Sequence, residues 1–280
     1  MAMVSRFDDS RLIFVRQIDH SEVVGFFAAH WGNDVFERPR PYASVALAAQ
    51  EHDKGWAEWE MRPTLSPDGR PLDYQGGGLD QLGFHSRNMD RLLAVDPYAG
   101  LVNLMHNVGL LNSGYGLMLP EFPSRMHEPG APEFVERYEE LRPKVVAQLR
   151  ETDEFRDSAT EEHIWENYRL MQIFDLMGQY FCNRYPLTRP ERPFGPNDNL
   201  RDMKVPLRYG GDQTTITIDI VDDFRAVIDP YPFDVDPLVV RYPARLLLAQ
   251  PYGSQEDFLH DYYSGERLVV TLSLQSASSA

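Results

Sequence analysis

The sequence predicts a mainly α protein: a helical bundle to which the C-terminal part of the chain, joined by one N-terminal strand, appends an antiparallel β-sheet. Three observations carry that expectation. Apolar residues recur at helical spacing through most of the first 185 residues, the period of helices with one buried face. Between Asn183 and Asn199 the composition turns proline-rich, as at a boundary between units. Beyond it the period falls to two, in runs rich in β-branched and aromatic residues, the pattern of strands with one covered face. The expected organisation is a helical unit over residues 1–185, including the N-terminal strand, with a β-rich unit over residues 200–275 packed on it.

Arg11 to Arg16, RLIFVR, reads as a short strand and leads into Asp19-His20-Ser21-Glu22, where a capping acceptor followed three residues later by Glu marks a helix start. Val23, Val24, Phe26, Phe27 and Trp31 follow at helical spacing and Gly32 is placed to stop the helix, so the first helix is expected over about residues 20–31. Pro41 suits the first turn of a second helix, because its missing N–H would find no partner there. YASVALAAQEHD continues that helix and Gly55 ends it. Residues 62–78 carry Pro63, Pro67, Asp68-Gly69, Pro71 and three consecutive glycines, a long loop of the kind that can serve as a lid.

A third helix is expected over residues 79–95, with His85, Met89 and Leu92 on one face. Asp96 can cap and Pro97 can start a fourth, which runs through YAGLVNLMHNVGLL and holds His106. Two more follow over about residues 133–152 and 161–185, the second enclosing Asp175 in the apolar run MQIFDLMGQYF. VPLRY, TTITIDIV, FRAVI, LVVRYPARLLLA and RLVVTLSL are the expected strands, and RLIFVR can add an edge to them.

With 280 residues and 42% hydrophobic content the chain can bury a substantial core. No apolar stretch reaches bilayer length, and MAMVSRFDDSRL lacks the basic-then-apolar order of a secretory signal. The expectation is a cytoplasmic protein with no membrane partner. The single cysteine, Cys182, can form neither an internal disulfide nor a thiolate cage, so any metal must be held by nitrogen and oxygen. A net charge of −16 disfavours nucleic acid, whose binding depends on neutralising phosphates. The expected partner is a small-molecule substrate, and the pairs Arg38, Arg40 and Arg87, Arg91 leave an anionic one open.

Asp175 is the carboxylate hardest to place without a partner. Ile173, Phe174, Leu176 and Met177 flank it, no Lys or Arg stands three or four residues away, and an unpaired buried charge is very costly. His52 and Asp53 are adjacent on an apolar helix, and both can reach one ion lying between their directions. His20 faces the positive end of its helix dipole, which disfavours its protonation and keeps the imidazole free for a metal. His85 and His106 have apolar neighbours; each taken alone reads as a core histidine satisfied by a hydrogen bond. His30, ten residues from His20 on the same helix, competes with it as a first ligand.

The order His20, His52-Asp53, His85, His106, Asp175 resembles the HD-domain superfamily of metal-dependent hydrolases, in the branch with extra histidines. ALAAQEHDKGW is similar to that superfamily's second-helix motif, IFDLMGQYF to its closing ligand helix, and QIDHSEVV to the start of its first helix, which favours His20 over His30. The resemblance covers about residues 12–185; QIDHS, AAHWGND and HDKGW are similar as well to a bacterial family of unknown function. It implies an HD-like bundle and one or two divalent transition metals, of which Mn, Fe, Co, Ni and Zn suit mixed His and carboxylate ligands. By resemblance His20, His52, Asp53 and Asp175 hold one ion, His85 and His106 hold a second that Asp53 bridges, and Asp53 and Lys54 are catalytic. Trp56 departs from the pattern, standing where many such phosphohydrolases place a lysine. The implied activity is phosphoester hydrolysis of a small anionic substrate; the same branch contains di-iron oxygenases, and a metal-stabilised binding protein is the non-catalytic alternative.

Overall fold

The computed structural model describes residues 2–73, 80–116, 123–188 and 203–279. Two strands, β1 (Ala2–Arg6) and β2 (Arg11–Arg16), form a hairpin around Asp8, whose carboxylate accepts from the N–H of Ser10 and of Arg11. Seven helices follow: α1 (Gln17–His30), α2 (Tyr42–Glu51), the single turn α3 (Ala57–Glu60), α4 (Gln81–Val95), α5 (Pro97–Gly109), α6 (Ala131–Glu151) and α7 (Glu161–Cys182). After them come β3 (Met203–Pro206), β4 (Gln213–Ile220), β5 (Arg225–Asp229), β6 (Leu238–Leu248), α8 (Gln255–Ser264) and β7 (Arg267–Ser276).

The expectation of a mainly α bundle is corrected. The described residues are about 47% helix and 21% strand, a mixed α/β fold built on one seven-stranded sheet in the order β1-β2-β6-β7-β5-β4-β3. The N-terminal strand joins the C-terminal ones as expected, β2 pairing with β6 from Arg11 opposite Leu248 to Phe14 opposite Arg245. RLIFVR is thus an inner strand, and the true edge is β1, a strand the sequence pattern did not announce. Nor is the sheet wholly antiparallel: β5 runs parallel to β7.

Alternation along the strands divides the core. Met3, Ile13, Val15, Val240, Tyr242, Leu272 and Leu274 join one large cluster with the buried faces of α1, α5 and α7, whereas Ala2, Val4, Phe14 and Leu247 meet Phe258 and Tyr262 of α8. The N-terminal hairpin is therefore covered on both faces, and period two tells its residues which layer to enter. The Tyr242 hydroxyl donates to the Phe181 carbonyl at 2.9 Å, tying β6 to the end of α7.

Asp96 and Pro97 behave as expected: the Asp96 carboxylate accepts from the N–H groups of Tyr98 and Ala99, and Pro97 opens α5. The start of the third helix at Leu79, the glycine run of the expected lid loop and the proline-rich boundary beyond Thr188 lie outside the described residues. No helix among the described residues is long and apolar enough to cross a membrane.

Candidate metal centre

Each candidate ligand is set by a local feature of the chain. β2 runs straight into α1, whose N-cap residue is Arg16 and which has no side-chain cap of its own. The Asp19 carboxylate that the sequence offered as a cap is instead held by the Arg16 guanidinium at 2.6 and 2.8 Å. Glu60 of α3 supplies the missing acceptor, taking the N–H groups of Gln17 and Ile18 and so satisfying part of the first turn's orphan donors. At its other end α1 is pinned to the loop before β6, where the N–H of Gly32 donates to Pro232 and that of Asp234 to His30.

His20 is fully buried on α1, with Nε2 2.9 Å from Oδ1 of Asp175 on α7. Gly178 makes the room, since a Cβ there would stand 2.8 Å from His20 Cε1 and 2.4 Å from Val24 Cγ2. The expected second helix stops earlier than its sequence suggested. It ends at Glu51, His52 is its C-cap, and Asp53 turns out of helical geometry at φ −110° and ψ 12°. Ser21 of α1 accepts from the Asp53 N–H at 3.2 Å, and Asn88 of α4 donates to the Glu51 carbonyl at 2.6 Å, so the pair sits at a corner clamped from two sides. Gly55 lets α4 come close: a Cβ there would lie 2.5 Å from the Phe84 carbonyl oxygen.

All six candidate ligands are buried. His52 Nε2 lies 3.3 Å from Asp53 Oδ2 and 3.4 Å from Asp175 Oδ1, and His106 Nε2 lies 3.7 Å from Asp175 Oδ2. The His52 ring stands edge-on to His20 at 5.2 Å and to His106 at 5.3 Å. Ligand atoms of His20, His52 and Asp175 fall within 4.8 Å of one another. His85 is the outlying member; it is edge-on to Trp56 at 5.6 Å and feels the charge of Asp53.

Lys54 and His30 are placed elsewhere. The Lys54 ammonium pairs with Glu22, and half-buried His30 bonds Asp234 at 2.8 Å. An open cleft lined by Asn33, Glu37, Arg38 and Arg208 contains none of the six ligand candidates.

The protonation chemistry asks for a cation. Burial works against charging His52, yet Asp53 and Asp175 pull its imidazole up to about 10. Burial likewise raises Asp53, but His52 and its neighbours hold it at about 2. Asp175 is taken well below the carboxylate range against the same burial, by hydrogen bonds from His20 and His52. Burial drives His85 and His106 down to about 4, so both are neutral at neutral pH. No Lys or Arg among the described residues pairs with either carboxylate.

The tautomer of His52 is set by its other nitrogen. Nδ1 is 2.8 Å from the Ala49 carbonyl and must donate to it, so Nε2 is the nitrogen that faces the two carboxylates, and its proton is the one a bound cation would displace. His20 Nδ1 and His85 Nδ1 are buried without partners. The imidazoles of His20, His52 and His106 and the carboxylates of Asp53 and Asp175 are turned toward one small volume, a donor set that fits a divalent transition metal. Gln179, which sequence reading passed over, donates to Asp175 Oδ2 at 2.9 Å and turns Oδ1 toward His20 and His52. Its position one turn after Asp175 was the available signal, but an uncharged partner is not conspicuous.

A family model described as "Protein of unknown function (DUF3891)" matches residues 3–249. No curated protein and no solved structure matches the chain.

Proposed function

This chain belongs to the DUF3891 family, and from the geometry of its buried centre we propose that it is a metal-dependent hydrolase that cleaves phosphoesters of a small substrate. One observation carries the reading: Nε2 of His52, its ring oriented by the Ala49 carbonyl, is buried between the carboxylates of Asp53 and Asp175 beside His20. The resemblance to the HD-domain superfamily supports the same assignment. His20, His52, Asp53 and Asp175 would hold the first ion, and His85 and His106 a second, with Asp53 between them.

Ions bound there would lower the pKa of a water and offset charge on phosphoryl oxygens. The chain's own groups supply the rest. Asp53 and Asp175 remain ionised at neutral pH and provide the negative charge that retains cations. Gln179 fixes which oxygen of Asp175 faces the histidines, as outer partners of metal ligands generally do. Trp56, Trp59, Leu72 and Phe84 form an apolar wall beside His85 that keeps bulk water from that side. Lys54 takes no part in this reading, because its ammonium is engaged by Glu22.

Elemental analysis of protein purified without added metal, followed by a p-nitrophenyl phosphate assay, tests the proposal. One or two equivalents of Mn, Fe, Co, Ni or Zn with phosphate release are expected, and Asp53→Ala and Asp175→Ala should lose both. Protein that takes up no metal even on reconstitution overturns it; two equivalents of iron with oxygen consumption and no phosphate release replace it with an oxygenase.

A further inference from the structure

The two arginines that the sequence set on α4 are engaged elsewhere. Arg87 pairs with Glu58 and Arg91 with Glu51, and they stand two and six residues from His85, on other faces of the helix. Arg125 is placed differently. Its charge reaches a ligand of the centre: burial lowers the His85 imidazole, Asp53 opposes, and His106, His52 and Arg125 add to the lowering.

Two hydrogen bonds locate Arg125. Its backbone N–H donates to the Leu111 carbonyl at 2.8 Å, and Nη2 donates to Oε1 of Gln81 at 3.0 Å. Gln81 opens α4 and shares a face with His85, one turn on, whose side chain leans back toward it. Leu111 stands in a similar relation to His106: the Leu110 N–H still donates to the His106 carbonyl, so Leu111 lies just over one turn beyond that ligand. Arg125 therefore spans the helix ends nearest His85 and His106, about one turn, or roughly 5 Å of axial rise, from each.

One edge of its guanidinium is gripped and the other is open. Glu128 takes Nε and Nη2 at 2.7 and 2.8 Å, a bidentate grip that fixes the plane of the group, and Gln81 takes the second Nη2 hydrogen. Neither N–H of Nη1 has an acceptor among the described residues, and 34% of the side chain is exposed. Asp53 and Asp175 together cancel the charge of one divalent ion, so an oxyanion entering the centre gains from a further cation fixed beside it. A phosphate monoester has three oxygens free of ester bonds and carries up to two negative charges, whereas a diester has two such oxygens and one charge. We propose that Arg125 binds a phosphoryl oxygen of the substrate through Nη1 and biases the centre toward phosphate monoesters. The monoester preference rests on the phosphoester reading above; the oxyanion contact does not.

The test uses the full chain loaded with the metal it retains. In the first arm inorganic phosphate is titrated calorimetrically. Saturable binding is expected, weakened about tenfold or more in Arg125→Met protein of unchanged metal content and melting temperature, the effect of losing one charged hydrogen bond. Arg87→Met, an equal loss of charge on another face of α4, should stay within about twofold, because an exposed charge is screened. No phosphate binding by the wild type, unchanged binding by Arg125→Met, or equal weakening in both variants overturns the contact. In the second arm hydrolysis of p-nitrophenyl phosphate is compared with that of bis(p-nitrophenyl) phosphate. Arg125→Met should raise KM for the monoester and shift the ratio of the kcat/KM values about tenfold toward the diester. An unchanged ratio in an active enzyme overturns the monoester preference and leaves the hydrolase standing. Phosphate binding that depends on Arg125, without hydrolysis of either ester, removes the phosphoester reading and keeps the oxyanion contact. If Arg125→Met does not fold, Arg125→Lys, which keeps the charge and loses the fork, decides both arms by a smaller change in the same direction.

Discussion

Glu60 carries a carboxyl that is almost wholly buried, and it accepts from the first N–H groups of α1. Burial raises it to about 8, with the Gln17 and Ile18 N–H groups and Arg16 opposing. The ordinary value of 4.5 holds in the unfolded chain, so between pH 4.5 and 8 the unfolded state releases this proton while the folded state keeps it. Its contribution to stability is therefore full below 4.5, declines across that window and is flat above it. Glu60→Gln abolishes the ionisation. In urea denaturation, the stability of the wild type relative to this variant should drop by roughly 2–4 kcal/mol between pH 5 and pH 8.5, from the cost per unit of pKa shift. A gap independent of pH would show that the carboxyl ionises normally. The neighbouring Asp19 shows why the local sequence misled here: Asp-x-x-Glu reads as a cap, but Arg16 captured the Asp side chain and a residue from α3 capped the helix instead.

At the level of elements, the centre depends on how closely α1, α4 and α7 approach. Gly178→Ala places a methyl 2.4 Å from Val24 and 2.8 Å from His20, on rigid neighbours within the core. The helices must separate, at a cost of roughly 1–3 kcal/mol for overpacking. Metal affinity, read by competition with a chromogenic chelator, should fall at least tenfold; Gly253→Ala, where the nearest atom to the added Cβ is 3.5 Å away, is the control. Such contacts also mark the limit of what the sequence could disclose. Helical period, Asp96-Pro97 and the strand runs after Met203 were legible, because each depends on residues near one another in the chain. The burial of His20, His52, Asp53, His85, His106 and Asp175 was legible too, from polar residues set in apolar surroundings. β1 was hidden because AMVSR is short and mixed, and α8 because its run is mostly polar, although Ser254 accepts from the Asp257 N–H as an ordinary cap. Neither the parallel pairing of β5 with β7 nor the insertion of β2 beside β6 leaves a local trace, since both are decided by partners far away in sequence.

For the molecule as a whole, the centre concentrates two buried carboxylates at the meeting of four long helices, α1, α4, α5 and α7, and the corner after α2. Removing a bound cation would leave those charges to His52 alone. Exhaustive chelation at neutral pH should lower the melting temperature by several degrees, as expected when a ligand bound only by the folded state is withdrawn; re-addition of the native metal should restore it, and a melting curve indifferent to chelator would contradict a site that is occupied in the purified protein. The order of the sheet has a separate consequence, for the time at which this centre can mature. β2, the strand that launches α1 and His20, obtains its second neighbour only from β6, more than two hundred residues later. Contacts of such long separation are slow to form because their loop must close first. On a ribosome, helices α1 to α7 emerge before the strand that fixes the base of the first of them. A metal-loading step that requires His20 in register therefore belongs after β6 has been made, not to the stage at which α1 to α7 alone have emerged.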